Sequence, residues 1–127
     1  MIKEAYVSFE VAKLLKEKGF NDEVRAYYLL DNETKEDELI HDDRLDTPNQ
    51  WSGDYYSAPT HQMAMAWLRE KQIYIRIIED AFGKSYCFEV YPKNPNVKIN
   101  YYVSNYYKDT YEDAVETALK YCLKNLI

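Results

Sequence analysis

The feature that most constrains this fold is the apolar stripe at the C-terminal end of the chain. Tyr111, Ala114, Val115, Ala118, Leu119, Cys122, Leu123 and Leu126 recur at the i, i+3, i+4, i+7 spacing of one helix face. Thr110-Tyr111-Glu112-Asp113 has the form of a capping box, with Asp where Glu or Gln is usual. Acids fill the first turn and Lys120 and Lys124 the last, which matches the helix dipole. A helix of this kind must bury its stripe against something, and each larger apolar side chain contributes roughly 1.5–3 kcal/mol when enclosed. It is therefore expected to form a main wall of the core.

Two further helices follow from the same reasoning. Ser8 is a good N-cap for a helix over Phe9 to Lys18, with Val11, Leu14 and Leu15 on its apolar side. Gly19 can take the left-handed conformation that closes such a helix, and Phe20 can fold back on the last turn. The second helix opens near Thr60, with Ser57 as an alternative cap, and carries Met63, Ala64, Trp67 and Leu68 to about Lys71.

The strands read less clearly. Arg25 to Leu30 is rich in aromatic and apolar residues, and Glu38 to His41 could add a short edge strand. Ile73, Ile75 and Ile77 alternate with Tyr74 and Arg76; a turn at Ala81 to Lys84 leads to Tyr86, Phe88 and Val90 on a return strand, opposed by Ser85, Cys87 and Glu89. Pro92 and Pro95 end it, and Val97 to Tyr107 alternates like a further strand. Residues 47–59 read as an irregular connection. The expected class is α+β: an antiparallel sheet of three to four strands with three amphipathic helices packed mainly on one face. With 127 residues, the chain is expected to form a single globular domain over 1–127.

Charge narrows the function classes. Of the 22 acids and 16 bases, residues 31–46 hold eight acids against Lys35 and Arg44, so the whole net charge of −6 lies in that segment. Such a patch opposes contact with nucleic-acid phosphates, and direct nucleic-acid binding is not expected. The opening residues lack the apolar stretch of a signal peptide, and no run approaches the roughly 20 apolar residues of a membrane span. A cytoplasmic protein without membrane contact is the expectation. Cys87 and Cys122 fall on apolar positions, where a thiol is a small buried hydrophobe and stays unreactive.

No catalytic, metal or cofactor constellation is visible. His41 and His61 lack ligand spacing. Asp31 and Glu33 match the first two positions of a calcium loop, but Lys35 takes the third and no glycine stands at the sixth. The three glycines form no phosphate loop.

Fourteen tyrosines include the pairs Tyr27-Tyr28, Tyr55-Tyr56, Tyr101-Tyr102 and Tyr106-Tyr107. Adjacent strand residues point to opposite faces, so one ring of each pair would leave the core side. Such rings suit recognition, although β-propensity alone accounts for them more simply. Trp67 belongs to the core, whereas Trp51 is either a plug over it or an exposed anchor. The candidate partner surface is Asp37, Glu38, Asp42 and Asp43 together with Trp51, Tyr55 and Tyr56.

Three segments (residues 6–20, 58–70 and 111–123) together resemble a family of short uncharacterised proteins from gut Bacteroides genomes and their phages. That family carries no assigned activity or site residue. The resemblance implies context: a prophage or mobile-element product in a bacterial cytoplasm.

The leading expectation is a non-enzymatic accessory protein that binds another protein through the acidic, tyrosine-rich surface, with the partner and the oligomeric state open. The alternatives are a DNA-mimicking inhibitor of a nucleic-acid enzyme, for which −6 is modest, and an enzyme assembled from scattered residues such as His61, Asp54 and Tyr55. A closed cavity in which imidazole meets carboxylate would favour the enzyme.

Overall fold

The computed structural model describes residues 4–91, 102–104 and 107–127. It shows the α+β class, with three helices and antiparallel strands among the described residues. The described strands form two three-stranded sheets, however, where a single sheet of three to four strands was expected. The chain divides into two compact units, residues 1–60 and 61–127.

The first unit begins with α1 (Phe9–Glu17). Ser8 caps it by accepting the Val11 amide at 3.2 Å. At the far end Gly19 sits at φ 91°, the Phe20 amide donates to the Leu15 carbonyl, and the Gly19 amide to the Lys16 carbonyl. This is the paired closure that a left-handed residue after a helix allows, and it drives Phe20 into the core at 1% exposure. The strands β1 (Val24–Leu30), β2 (Asp37–Asp46) and β3 (Tyr55–Ser57) form a sheet in the order β2-β1-β3.

Both differences from the sequence reading in this unit have physical reasons. The strand expected over Glu38 to His41 runs to ten residues. Beyond His41 its register jumps, with Ala26 opposite His41 but Val24 opposite Asp46. Residues Asp42, Asp43, Arg44 and Leu45 thus form a bulge, held where the Asp42 carboxylate accepts the Arg44 amide and the Arg25 guanidinium donates to the Asp43 carbonyl. A bulge and a row of charges are two devices by which an edge strand avoids pairing with other chains. Second, the connection expected to be irregular holds a 3-10 turn (Pro48–Gln50) and β3. Three residues are too few to show a period; β3 exists because Tyr27, Tyr28 and Leu29 pair with it.

The second unit contains α2 (His61–Glu70), β4 (Tyr74–Glu79), β5 (Tyr86–Tyr91), β6 (Tyr102–Val103) and α3 (Tyr111–Asn125), its strands ordered β4-β5-β6. Thr110 caps α3 by accepting the Asp113 amide at 3.1 Å. The stripe Ala114, Val115, Ala118, Leu119, Cys122 and Leu123 is fully buried, while Tyr111, expected on it, is exposed. From α3, Tyr121 stacks on Tyr102 at 4.1 Å and leans on Phe88, which places α3 over the face of the sheet that holds Phe88 and Val90. In α2 the enclosed positions are His61, Ala64, Met65, Trp67 and Leu68; Met63, expected on the stripe, faces outward. The enclosed stripe thus keeps the expected Ala64, Trp67 and Leu68 and adds His61 and Met65 in place of Met63.

The other face of β5 is also enclosed. Cys87 and Glu89 are 4% and 3% exposed, and the Arg76 guanidinium meets Glu89 across the β4–β5 register. Of the strand expected over Val97 to Tyr107, Tyr102–Val103 is described as β6, whereas 97–101 and 105–106, with Pro92 and Pro95, lie outside the described residues. No helix among the described residues is long and apolar enough to cross a membrane.

Candidate binding face

In an antiparallel sheet directly opposed residues share a face, so the register of the first sheet sorts its side chains. Tyr28, opposite both Leu39 and Tyr56, lies on the face covered by α1. There the Phe9 ring makes edge contacts with Tyr28 and Tyr56 at 5.7 and 5.1 Å. The Tyr28 hydroxyl donates to the Val7 carbonyl at 2.7 Å. Lys16 lies over the Tyr56 ring and donates to the Tyr55 carbonyl. Leu30 and Asp37 are opposed on this same face.

The opposite face carries Tyr27, Leu29, Ile40 and Tyr55, all half-buried, with Glu38 exposed beside Leu29. Trp51 completes it. Its ring meets Tyr27 and Tyr55 edge-on at 5.1 and 5.2 Å, and Tyr27 meets Tyr55 at 5.8 Å. Trp51 is held in place by the segment that precedes it. Asn49 donates from its side chain to the Phe20 carbonyl and accepts the Ser57 amide, while its own amide donates to the Ser57 hydroxyl. These bonds fasten the 3-10 turn to β3 and hold Trp51 against the sheet. Three rings packed edge-on against one another form the aromatic platform of this face.

The expected surface is thereby divided. Glu38, Trp51 and Tyr55 belong to the open face. Tyr56 does not: it faces α1, because neighbours along a strand alternate. Asp37 is exposed but aligned with the α1 side. Asp42 is half-buried and engaged in the bulge, and Asp43 is exposed there. Tyr27, Leu29 and Ile40 were missing from the sequence-based surface. Alternation within Arg25 to Leu30 marks Tyr27 and Leu29 as the outward pair once Tyr28 is taken as core.

The open grooves among the described residues of this unit include two. One of about 470 Å³ sits at the β1–β2 turn, lined by Leu29, Leu30, Asp31, Thr34, Glu36, Asp37 and Glu38. The other, about 480 Å³, is lined by Glu4, Tyr6, Tyr28, Leu39 and His41; there Tyr6 meets the His41 ring edge-on at 5.1 Å.

In the second unit a buried imidazole does meet a carboxylate. His61 Nε2 lies 2.8 Å from Glu116 Oε1, with side-chain exposures of 7% and 19%. A carboxylate only accepts, so Nε2 carries the proton, a tautomer assigned from the partner. The pair joins α2 to α3, and neither described groove is lined by it. Asp54 and Tyr55, grouped with His61 in the enzyme alternative, belong to the first unit, where Asp54 accepts a hydrogen bond from the Asn32 side chain. Among the described residues no group of three or more His, Cys, Asp or Glu side chains could hold a metal ion. Burial pushes the Cys122 thiol up to about 12.

Compared with protein-family models, with curated proteins and with solved structures, the chain matches none.

Proposed function

We propose that this chain is a non-enzymatic binding protein whose docking surface is the open face of the β2-β1-β3 sheet. The observation that carries the reading is the platform of Trp51, Tyr27 and Tyr55. Rings fixed by one another and by the Asn49–Ser57 bonds lose little freedom on binding, so their contact area is converted into affinity at low entropic cost. Apolar rings with charged residues at the border also match the anatomy of protein interfaces, in which a few aromatic anchors dominate. The resemblance of the three helical segments to the Bacteroides and phage family supports a phage or prophage accessory role in a bacterial cytoplasm.

The test is affinity capture from native host lysate with the full chain, beside Trp51→Ala, Tyr55→Ala and a charge reversal of Glu38 and Asp43. A specific partner retained by the parent chain and weakened by the Trp51 and Tyr55 changes is the expected result. Equal recovery with all variants, or nothing above background with any, removes the proposal.

A further inference from the structure

The occupant of this face has a chemistry that the surrounding charges select. We infer that the face binds an extended polypeptide segment carrying lysine or arginine between apolar residues; the inference rests on the reading of the face as a docking surface. The sheet face carries the argument, and the charges decide the sign of what it accepts. Glu38 stands on the face itself, opposite Leu29 and next to the Tyr55 row. The β1–β2 turn at one end adds exposed Asp31, Glu33 and Glu36 against Lys35, whereas at the bulge exposed Asp43 is balanced by Arg44 and Asp46, opposite Val24, lies on the α1 side. Arg25, the cation that β1 directs to this side, donates to the Asp43 carbonyl and keeps its charge at the bulge end, so the acidic end of the face is the β1–β2 turn. A cationic side chain that lands on this face therefore meets Glu38 and the carboxylates of the β1–β2 turn beside the aromatic rings. Lys and Arg gain from both, through charge complementarity and through cation–π contact.

The same charges exclude the other occupants. A second copy would bring its own acidic strand against this one, and like charges set opposite each other are destabilising. A nucleic acid would set phosphates against carboxylates. A basic extended segment avoids both conflicts.

The test uses the full chain and two fluorescein-labelled peptides, one alternating lysine with valine and one alternating glutamate with valine, read by anisotropy. The lysine peptide is expected to bind at least tenfold tighter than the glutamate peptide, a difference of about 1.4 kcal/mol. Its affinity should fall as salt rises. Trp51→Ala should weaken it by roughly thirtyfold, the loss of an aromatic hot spot. Glu38→Lys, an exposed change that leaves the platform packing intact, should cost at least tenfold. Equal affinity for the two peptides, binding of neither, or lysine-peptide binding indifferent to both substitutions overturns the inference. The docking surface itself is judged separately: capture of an acidic or neutral protein that depends on Trp51 keeps the surface and overturns the basic occupant.

Discussion

Replacing His61 by alanine tests whether the buried imidazole–carboxylate contact is a structural tie. At 2.8 Å the His61–Glu116 contact has the length of a charge-assisted hydrogen bond. Such bonds contribute roughly 1.5–3 kcal/mol net. Glu116 keeps 19% of its side-chain exposure, so the pair is not fully enclosed and the lower end of that range applies. Removing a ring that is 6% exposed adds a cavity penalty of about 1 kcal/mol. The expected loss is about 2–3 kcal/mol, or a fall in Tm of about 10 °C for a domain of this size. Denaturant unfolding followed by the fluorescence of Trp67, on the same helix, measures it directly. His61→Gln retains a side-chain N–H donor and should lose less than about 1 kcal/mol. The double variant with Glu116→Ala should show a coupling of about 1–2 kcal/mol. If His61→Ala lies within about 0.5 kcal/mol of the parent chain, the contact does not tie α2 to α3 and the stability argument is wrong.

Three other outcomes follow from local geometry. Gln72 closes α2 at φ 66°, where the Ile73 amide donates to the Leu68 carbonyl and the Gln72 amide to the Arg69 carbonyl; Gln72→Gly should stabilise by about 0.5–1 kcal/mol in thermal unfolding, since a left-handed non-glycine residue costs about that much. Because burial holds the Cys122 thiol at about 12 in the folded chain, the unfolded chain loses that proton first, near ~8.5. Stability should therefore be intact below that pH and decline as pH rises toward 12, and the native thiol should resist alkylation at neutral pH. Asp80 accepts the Ser85 hydroxyl and the Lys84 and Phe82 amides, which hold its carboxyl below the usual carboxylate range. Its titration by NMR should fall below that of an ordinary aspartate, and Asp80→Ala should disorder the β4–β5 turn amides, with turn stability lost as pH falls through the folded value.

What was legible in the chain was what is decided locally. The caps at Ser8 and Thr110, the left-handed closure at Gly19 and the stripe of α3 each depend on residues within a turn or two, and each stands where the sequence puts it, save that the stripe's outer positions Tyr111 and Leu126 are not enclosed. Strand partnership is decided at a distance. Tyr55 to Ser57 is a strand only because β1 lies beside it, and the strands divide into two sheets through pairings that no local pattern encodes. The enclosure of Glu89 depends on Arg76 across the register, and that of His61 on Glu116, which is 55 positions away. The candidate surface divides in the same way. Chemistry marked the aromatic and acidic residues, but alternation along β3 sends Tyr55 and Tyr56 to opposite faces, and Tyr27 joins Trp51 only through the sheet.

The most direct test of the central claim is photo-crosslinking in the native host from a benzoylphenylalanine placed at Tyr55, on the open face, or at Tyr111, which is exposed on α3. The account predicts a discrete protein adduct from position 55, lost when Trp51 is also replaced by alanine, and none from position 111. Adducts from 111 alone, or a 55 adduct that persists without Trp51, would contradict it.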